Sequence, residues 1–305
     1  MCNDSSYAKE VRGMRADGQV RLRIDLAYDG THFSGWAKQP GLRTVQGELE
    51  RAIAMVVRRE PDEVTVTVAG RTDAGVHATG QTCHVEVTEV ECAKLAGRSA
   101  SVGGAARKLN GALKRFDAGD LIVHAVNLAP EGFDARFAAL SRTYEYLVSP
   151  RGVPVNPLLR HCVVALGDEI DVDATRTASL TLLGLQDFTS FCKAREGSTA
   201  VRTLIDFTWA ERADGVLAAT IHADAFCHSM VRSLVGGVLA VGAGKLTVDQ
   251  LQQLTAERKR SSSIPVMPAH GLTLVGVEYP EDAGLAARAA VTRARRDPLA
   301  SEILG

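Results

Sequence analysis

The most constraining feature of the sequence is an order of strand-like and helix-like segments that occurs twice along the chain. In the first half, apolar residues that alternate with polar ones predict half-buried strands. A helix capped by Thr44 is predicted after the first of these strands, and a weaker helix over about 105–113. The predicted order is β-α-β-β-α-β, with the strands at RLRIDLAY (21–28), TVTVAG (65–70), QTCHVEV (81–87) and LIVHAVNL (121–128).

The second half is predicted to repeat this order with one extra helix. A hairpin over 203–223 is expected to turn at Asp214-Gly215, a dipeptide with a strong preference for such turns. The other predicted elements are the strand RTYEYLV (142–148), a helix over 172–183, an apolar helix over about 228–241, a short helix over 248–257 and the strand GLTLVGVEY (271–279).

The repeated order predicts an α+β protein with two ferredoxin-like β-α-β-β-α-β halves and largely antiparallel sheets. We expect the halves to join around a central cleft, since binding sites favour interfaces between domains. The 305 residues are enough for two domains. The predicted parts are a mobile N-terminal extension (1–19), an N-terminal domain (20–130), a C-terminal domain (131–280) and a mobile C-terminal tail (281–305).

Composition indicates a globular chain and leaves the kind of partner open. Hydrophobic residues make up 46% of the chain and charged residues 23%, which speaks against a largely disordered protein. The net charge of −1 does not favour a dedicated nucleic-acid binder. It leaves room for a local basic cleft, because phosphates respond to the field where they sit.

The cysteines and the N-terminus predict a cytoplasmic protein. Six cysteines occur without a Cys-x-x-Cys pair, which favours free thiols in a reducing compartment. The N-terminus lacks the apolar region of a secretory signal. No stretch of about 18 apolar residues predicts a membrane span, so no membrane partner is expected.

The segment AGRTDAGVHATGQ (69–81) is the most unusual in the chain. It places an arginine, a carboxylate and a histidine on a glycine-containing backbone between two predicted strands. Asp-Ala-Gly is also ordinary turn chemistry, so a plain connection between strands is the alternative. The concentration of polar groups on a permissive backbone favours a functional loop.

A second unusual feature is Arg232, which stands within an apolar helical segment. An unpaired buried charge is very costly, so this side chain must extend to solvent or meet a carboxylate. If the carboxylate comes from the other half of the chain, the pair would lie in the cleft.

Motifs for metals and phosphate-binding cofactors do not fit. The VGAGK segment ending at Lys245 has Leu239 where a phosphate loop needs glycine, and Leu246 where it needs Ser or Thr. Neither His77 with His84, nor His222 with Cys227 and His228, has zinc-site spacing. We expect neither a metal nor an organic cofactor.

At GRTDAGVH (70–77) the chain resembles the TruA family of tRNA pseudouridine synthases, whose catalytic loop reads Gly-Arg-Thr-Asp-x-Gly-Val-His. The resemblance extends from about Leu22 to Pro280. It departs from the family pattern at Ala37, where glutamine is common, and at Asp134, where histidine is common. Further family blocks in family order are YDGTHFSGW, TVQGELE, ARF, RTYEYLV, DFTSFC, FCHSMVRSLVGGVLAVGAGK and PAHGLTLVGVEYP.

The resemblance implies an RNA-modifying isomerase that converts uridine to pseudouridine at positions 38–40 of the tRNA anticodon stem-loop. It implies no metal and no organic cofactor. It also implies a homodimer in which both subunits contact each tRNA.

Three residues match the catalytic positions of the family. The resemblance implies that Asp73 is the essential residue, that Arg232 pairs with it, and that Tyr144 packs against the target base. A carboxylate can attack the sugar or the base as a nucleophile, or remove a sugar proton as a base. The sequence leaves these roles open.

The remaining candidate residues are RNA contacts. Arg71 is expected near the flipped nucleotide, and His77 either supports the loop or touches RNA. Arg43, at a helix start, suits phosphate binding. The other candidates are Thr72, three cations suited to phosphate (Lys38, Arg142 and Lys245) and Leu272, which is expected to line the uracil pocket.

Three alternative functions remain. One is a non-catalytic RNA-binding protein that uses a ferredoxin-like sheet. Another is a small-molecule enzyme such as a nucleoside-processing lyase, and the third is a synthase with other target positions. Asp73 and Arg232 favour an enzyme over a binding protein.

Overall fold

The computed structural model describes residues 18–97, 102–193 and 199–294. In the first predicted strand, the apolar residues are buried and alternate with polar residues that are more exposed. Leu22, Ile24 and Leu26 are at most 1% exposed, and the polar residues between them lie on the other face. The described residues form two units. Unit 1 runs to Thr72, continues over Ala78–Leu140 and resumes at Val277, and unit 2 comprises Asp73–His77 and Ser141–Gly276.

Unit 1 contains a sheet in which the first strand is central. The strands are β1 (Gln19–Tyr28), β2 (Val66–Val68), β3 (His77–Thr88) and β4 (Leu121–Leu128). β1 pairs antiparallel with both β3 and β4, and β2 pairs antiparallel with β3. The spatial order is therefore β4-β1-β3-β2.

The described part of unit 1 also contains the α-helices α1 (Val45–Val57), α2 (Glu89–Ala96), α3 (Ala105–Arg115) and α7 (Leu285–Ala294), numbered in chain order. The predicted cap at Thr44 is confirmed, since its hydroxyl accepts the Gly47 N–H at 3.2 Å. α2 was not predicted from the sequence. Its start is a capping box in which Thr88 and Glu91 accept each other's backbone N–H groups.

The C-terminal segment differs from the expected mobile tail. Residues 285–294 form α7, and Leu285 and Ala289 are buried in a cluster with Ala129, Phe133 and Ala135. Small apolar residues at a spacing of four place one helical face on this cluster. Residues 295–305 of the predicted tail, and 1–17 of the predicted N-terminal extension, lie outside the described residues.

The strands of unit 2 pair mostly antiparallel. They are β5 (Ser141–Ser149), β6 (Val164–Ala165), β7 (Gly184–Asp187), β8 (Val201–Glu211), β9 (Leu217–Ala223) and β10 (Leu272–Glu278). The order is β10-β5-β9-β8-β7, and β6 adds a parallel pair at β5. The predicted hairpin is confirmed, because β8 and β9 pair antiparallel around Gly215, which has φ of +77°.

The helices of unit 2 are α4 (Val172–Leu180), α5 (Met230–Gly242) and α6 (Val248–Ala256), close to the predicted ranges. α5 starts two residues later than predicted, because Ser229 has a left-handed backbone with φ of +65°. Its apolar side chains are buried on nearly all sides, and it packs against α4. Together, the described residues show a mixed α/β chain with mostly antiparallel strand pairs.

The prediction that all cysteines are free thiols is wrong for one pair. Cys192 and Cys227 form a disulfide with their Cα atoms 5.8 Å apart, a separation that the bond allows. Their separation of 35 residues gave no sequence signal. The free cysteines of the described chain are Cys83, Cys92 and Cys162.

In the described ranges, no helix has the length and apolar character that spanning a membrane requires.

Candidate active site

The unusual loop starts from a buried polar anchor in unit 1. Gln81, fully buried on β3, donates its side-chain amide to the Gly70 carbonyl at 2.9 Å and to the Tyr28 hydroxyl at 3.2 Å. Thr72 is also buried, with its hydroxyl 2.8 Å from that of Tyr28. The Thr72 carbonyl accepts the Trp36 N–H at 3.0 Å. These bonds fix the backbone up to Thr72, the residue before the carboxylate.

A tight turn presents Asp73. The Val76 N–H donates to the Asp73 carbonyl at 3.2 Å, and Gly75 occupies the third position of the turn with φ of +78°. A left-handed residue at that position is what a type II turn requires, and glycine adopts it without steric cost. The Asp-Ala-Gly turn chemistry noted in the sequence therefore shapes the loop that carries the carboxylate.

His77 secures the end of the turn, where β3 begins four residues earlier than predicted. Its Nε2 lies 2.7 Å from the His161 carbonyl and 3.0 Å from the His270 carbonyl. Because carbonyls only accept, Nε2 carries the proton. Burial lowers the pKa of His270, and the neighbouring His77 and His161 lower it further. His77 is 7% exposed, so its ring lies inside unit 2.

The Asp73 carboxylate is approached by two nitrogen groups within unit 2. Nε2 of His228 lies 3.3 Å from Oδ1, and a terminal nitrogen of Arg232 lies 3.9 Å from Oδ2. The Asp73 side chain is 31% exposed, which leaves the carboxylate open to a ligand. Each oxygen therefore has a different cationic or hydrogen-bonding neighbour.

Arg232 is held in place by the chain segment around Met267. Its Nε donates to the Met267 carbonyl at 2.5 Å, and the Met267 N–H donates to the Arg232 carbonyl at 3.2 Å. The arginine side chain is 20% exposed. The Met267 carbonyl and the Asp73 carboxylate therefore supply the polar partners that a charged side chain in an apolar helix needs.

His228 was considered in the sequence only as an unlikely metal ligand, and its place beside Asp73 was missed. The next residue, Ser229, has a left-handed backbone with φ of +65°. The backbone carbonyl of His228 accepts the Lys193 N–H at 3.0 Å. The disulfide between Cys192 and Cys227 joins the same two chain segments. The available signal was a histidine one helical turn before Arg232.

Tyr144 lies on β5 and is 8% exposed. Its ring meets Phe226 edge-on, with centroids 5.2 Å apart and planes at 89°. Burial raises the pKa of the hydroxyl to about 12; Arg142 opposes this shift, and Asp73 reinforces it. The hydroxyl is therefore a neutral phenol at neutral pH, and it senses the charge of Asp73.

Leu272 is buried at the start of β10, directly after Gly271. A Cβ at Gly271 would lie 2.6–2.8 Å from ring atoms of Tyr146, so only glycine fits there. The Tyr146 hydroxyl donates to the Pro268 carbonyl at 2.7 Å. Leu272, the residue predicted to line the uracil pocket, thus directly follows a glycine that is packed tightly against Tyr146.

The predicted phosphate-binding cations differ in how much they are engaged. Arg71 is exposed, with no ion pair to another described residue. Arg43 forms two 2.7 Å bonds to Asp120, which raise the pKa of its guanidinium. The others are Lys38, 2.6 Å from Asp62; Lys245, 2.5 Å from Asp168; and Arg142, bonded to the Asp224 carbonyl at 2.8 Å.

The arrangement combines an open carboxylate, a guanidinium, an imidazole and a neutral phenol. Such a set can place a negative charge against a sugar or a base and move a proton nearby. Among the described residues, no three His, Cys, Asp or Glu side chains are placed to hold a metal ion.

Comparison with known proteins identifies the class of enzyme. A sequence model described as tRNA pseudouridine synthase matches residues 26–98 and 178–280, which is over half of the chain. tRNA pseudouridine synthase A of Leifsonia xyli subsp. xyli is 49% identical over 286 residues, which cover 92% of this chain and 99% of that protein. The Frankia casuarinae protein of the same name is 49% identical over 284 residues, covering 92% and 97%.

The chain therefore belongs to the tRNA pseudouridine synthase family. It is accordingly an RNA-modifying isomerase. Among solved structures, the archaeal box H/ACA sRNP Nop10-Cbf5 complex matches 72% of this chain and 44% of that chain. Its TM-score of 0.30 and 12% identity are too low to bear on the fold or the site.

Proposed function

We propose that this enzyme isomerises uridine to pseudouridine at positions 38–40 of the tRNA anticodon stem-loop, with Asp73 as the essential catalytic residue. The observation that carries the catalytic assignment is the contact of both Asp73 oxygens with nitrogen groups, at 3.3 Å and 3.9 Å. The target positions rest on the resemblance of the GRTDAGVH loop to that of the TruA family.

The reaction requires the bond from the ribose C1′ to N1 of uracil to break and a bond from C1′ to C5 to form. The C5 proton then leaves, and N1 ends with a proton. A paired base must first leave the stem, which costs a few kcal/mol. The Asp73 carboxylate can attack C1′ or the base, or remove a sugar proton, and each of these roles uses its ionised form.

Arg232 and His228 serve this carboxylate. A guanidinium offers a positive charge and fixed N–H donors to a carboxylate. The 2.5 Å bond from Arg232 Nε to the Met267 carbonyl fixes the direction of the guanidinium. His228 approaches the other oxygen, so the carboxylate is held from two sides.

Tyr144 supports the extruded uracil and the proton transfer. Its buried ring offers a face on which a base can stack, and such stacking contributes about 1–3 kcal/mol. The pKa of its hydroxyl, raised to about 12 by burial, makes the group a proton donor at neutral pH. It can accept a proton from C5 only if its own proton is passed on in the same step.

The remaining predicted residues divide into RNA contacts and supports. Exposed Arg71, next to the catalytic turn, contacts RNA around the flipped nucleotide, and Leu272 lines the uracil pocket. Thr72 and His77 support the loop, because both are buried and hydrogen bonded. Arg142, Lys38, Lys245 and Arg43 contact phosphates of the RNA backbone.

We also propose that each half of the chain is ferredoxin-like and that the enzyme is a cytoplasmic homodimer. The support for the first statement is topological, since β4-β1-β3-β2 in unit 1 and β10-β5-β9-β8 in unit 2 have the same spatial order of equivalent strands. Both units follow the β-α-β-β-α-β order, with α2, α7, β6, β7 and α6 as additions. The dimer rests on the family resemblance, and light scattering of the purified enzyme tests it.

The catalytic assignment is tested by Asp73→Asn, which keeps the shape of the side chain and removes its charge. Tritium release from 5-tritiated uridine in unmodified tRNA measures turnover, and filter binding measures the Kd for tRNA. We expect Asp73→Asn to lose activity by at least a thousandfold while its Kd changes less than tenfold. Asp173→Asn, at an exposed aspartate of α4, is the matched control and should behave as wild type.

Full turnover by Asp73→Asn would disprove the assignment. Release from free uridine without tRNA would instead support a small-molecule enzyme. Mapping pseudouridines in the product tRNA tests the target positions, and modification outside positions 38–40 would contradict them while leaving the role of Asp73 intact.

A further inference from the structure

Helix α3 has one buried face and one entirely cationic face. Leu109, Ala112 and Leu113 pack inward and are at most 4% exposed. The exposed positions of the helix are Arg107, Lys108, Gly111, Lys114 and Arg115. At 100° per residue these five positions fall within about 120° of arc, so they form one continuous stripe, the α3 stripe.

The four cations of the α3 stripe have no carboxylate partner among the described residues. No acidic residue occurs in α3, and no ion pair joins these cations to a described residue. The Lys108 ammonium donates to the Lys94 carbonyl, a neutral group. Asp117 and Asp120 follow the helix, and Asp120 is bound by Arg43.

Several other cations of the described chain do have a carboxylate partner, such as Arg59 with Glu91 at 2.5 Å and Arg176 with Asp173 at 3.0 Å. Arg107 and Lys108 lie about two helical turns before the other two cations, and all four are exposed on the same face. A surface with several cations and no internal counter-charge is suited to an external anion.

The stripe is held rigidly on the outside of unit 1. The Asn110 side chain donates to the Val123 carbonyl at 2.9 Å and accepts the Val123 N–H at 2.8 Å, which ties α3 to β4. From Arg107 to Arg115 the stripe spans about 12 Å, at 1.5 Å per residue. A nucleic-acid strand places about three or four phosphates over that length.

We propose that the α3 stripe binds the phosphate backbone of the substrate tRNA, away from the nucleotide that enters the active site. This inference rests on the proposed function, because the polyanion that this family modifies is tRNA. At Gly111, in the middle of the stripe, nothing lies within 4 Å of where a Cβ would be, so this part of the surface is open.

Gly111→Glu and Gly111→Gln test the stripe as a matched pair. Both side chains enter open space and have the same shape, and both should favour the helix over glycine. Only glutamate adds a negative charge in the centre of the stripe. We expect its Kd and KM for tRNA to exceed those of Gly111→Gln by about three- to tenfold at low salt, with kcat at saturating tRNA unchanged.

A second pair of variants measures the contacts directly. Arg107→Gln with Lys114→Gln removes two cations of the stripe, and Arg176→Gln with Arg212→Gln removes two paired cations elsewhere in unit 2. Each phosphate contact contributes about one to the slope of log Kd against log salt. The stripe variant should lower this slope by about two, and the control should leave it unchanged.

Equal Kd values for Gly111→Glu and Gly111→Gln would overturn the inference, and so would an unchanged salt slope in the stripe variant. Failure of the proposed function has another signature, because the wild-type enzyme would then release no tritium from tRNA. If the wild-type enzyme is active and the substitutions in the α3 stripe have no effect on tRNA binding, only the role of α3 is contradicted.

Discussion

At the scale of single residues, the Asp73 carboxylate is defined by two different neighbours. Arg232 is always charged and is fixed by the Met267 carbonyl, whereas His228 carries charge only when protonated and is 47% exposed. The guanidinium at 3.9 Å supplies the steady electrostatic contribution. His228, at 3.3 Å, is suited to fixing the direction in which the carboxylate points.

We predict that His228→Ala lowers kcat by about three- to tenfold and changes KM less than twofold. A hydrogen bond to a charged group contributes about 1.5–3 kcal/mol when buried, and the partial exposure of His228 reduces that value. The loss falls on kcat because the imidazole acts through Asp73. Single-turnover tritium release at saturating tRNA measures the effect.

His228→Gln serves as the control for this role, because its amide can offer an N–H near the same position. It should recover most of the lost kcat. If alanine and glutamine variants are equally slow, a steric or folding effect of the substitution explains the loss better than positioning of the carboxylate does.

At the scale of elements, helix α7 packs against the chain segment that precedes β5. Asp134 in that segment is 5% exposed, and its Oδ1 accepts the N–H groups of Arg136 and Phe137 at 2.9 and 2.8 Å. Its Oδ2 accepts from Arg293 of α7 at 2.6 Å. Asp134 therefore anchors α7 to this segment.

We predict that Asp134→Asn lowers the free energy of unfolding by about 1 kcal/mol at pH 7. Burial alone raises the pKa of Asp134, but the Phe137 N–H, His84 and Arg293 outweigh it and hold the pKa below the ordinary value of 3.8. A lowered pKa stabilises the fold above pH 3.8, and this stabilisation is lost as the pH falls through the lowered value. Urea unfolding at several pH values should show the difference shrinking in acid.

The partner substitution separates the ion pair from the other bonds of Asp134. Arg293→Gln removes the same pairing from its exposed side, and the double variant completes a thermodynamic cycle. A coupling free energy near zero would contradict the anchoring role. So would a difference in unfolding free energy between wild type and Asp134→Asn that does not change with pH.

The elements that the sequence predicted are those with a local periodic signal. The alternation in β1 and the apolar character of α5 follow directly from which side chains are buried. α2 was not predicted because its start depends on a reciprocal cap between Thr88 and Glu91. α7 was not predicted because its many small residues resemble those of a tail. Asp73 was found through its motif, whereas His228 meets it across a long stretch of chain that no periodic pattern connects.

At the scale of the whole molecule, the net charge of −1 hides an uneven distribution. Many arginines and lysines are committed to carboxylates within the described chain, such as Arg43 to Asp120 and Lys245 to Asp168. The α3 stripe is not committed in this way. The total charge therefore says little about RNA binding, because the cations available to phosphates are those that the fold leaves unpaired.

Binding of tRNA through phosphates should depend strongly on salt. Each neutralised phosphate releases about 0.9 counterions, so the four cations of the α3 stripe alone give a slope of about 3.6 in log Kd against log salt. We expect tRNA affinity to fall at least roughly a hundredfold between 50 and 200 mM salt. Filter binding over this range measures the slope, and kcat at saturating tRNA checks that the enzyme stays folded. A slope near zero would contradict binding through phosphates. If the Arg107→Gln, Lys114→Gln variant kept the full wild-type slope, the phosphate contacts would have to come from other cations of the chain.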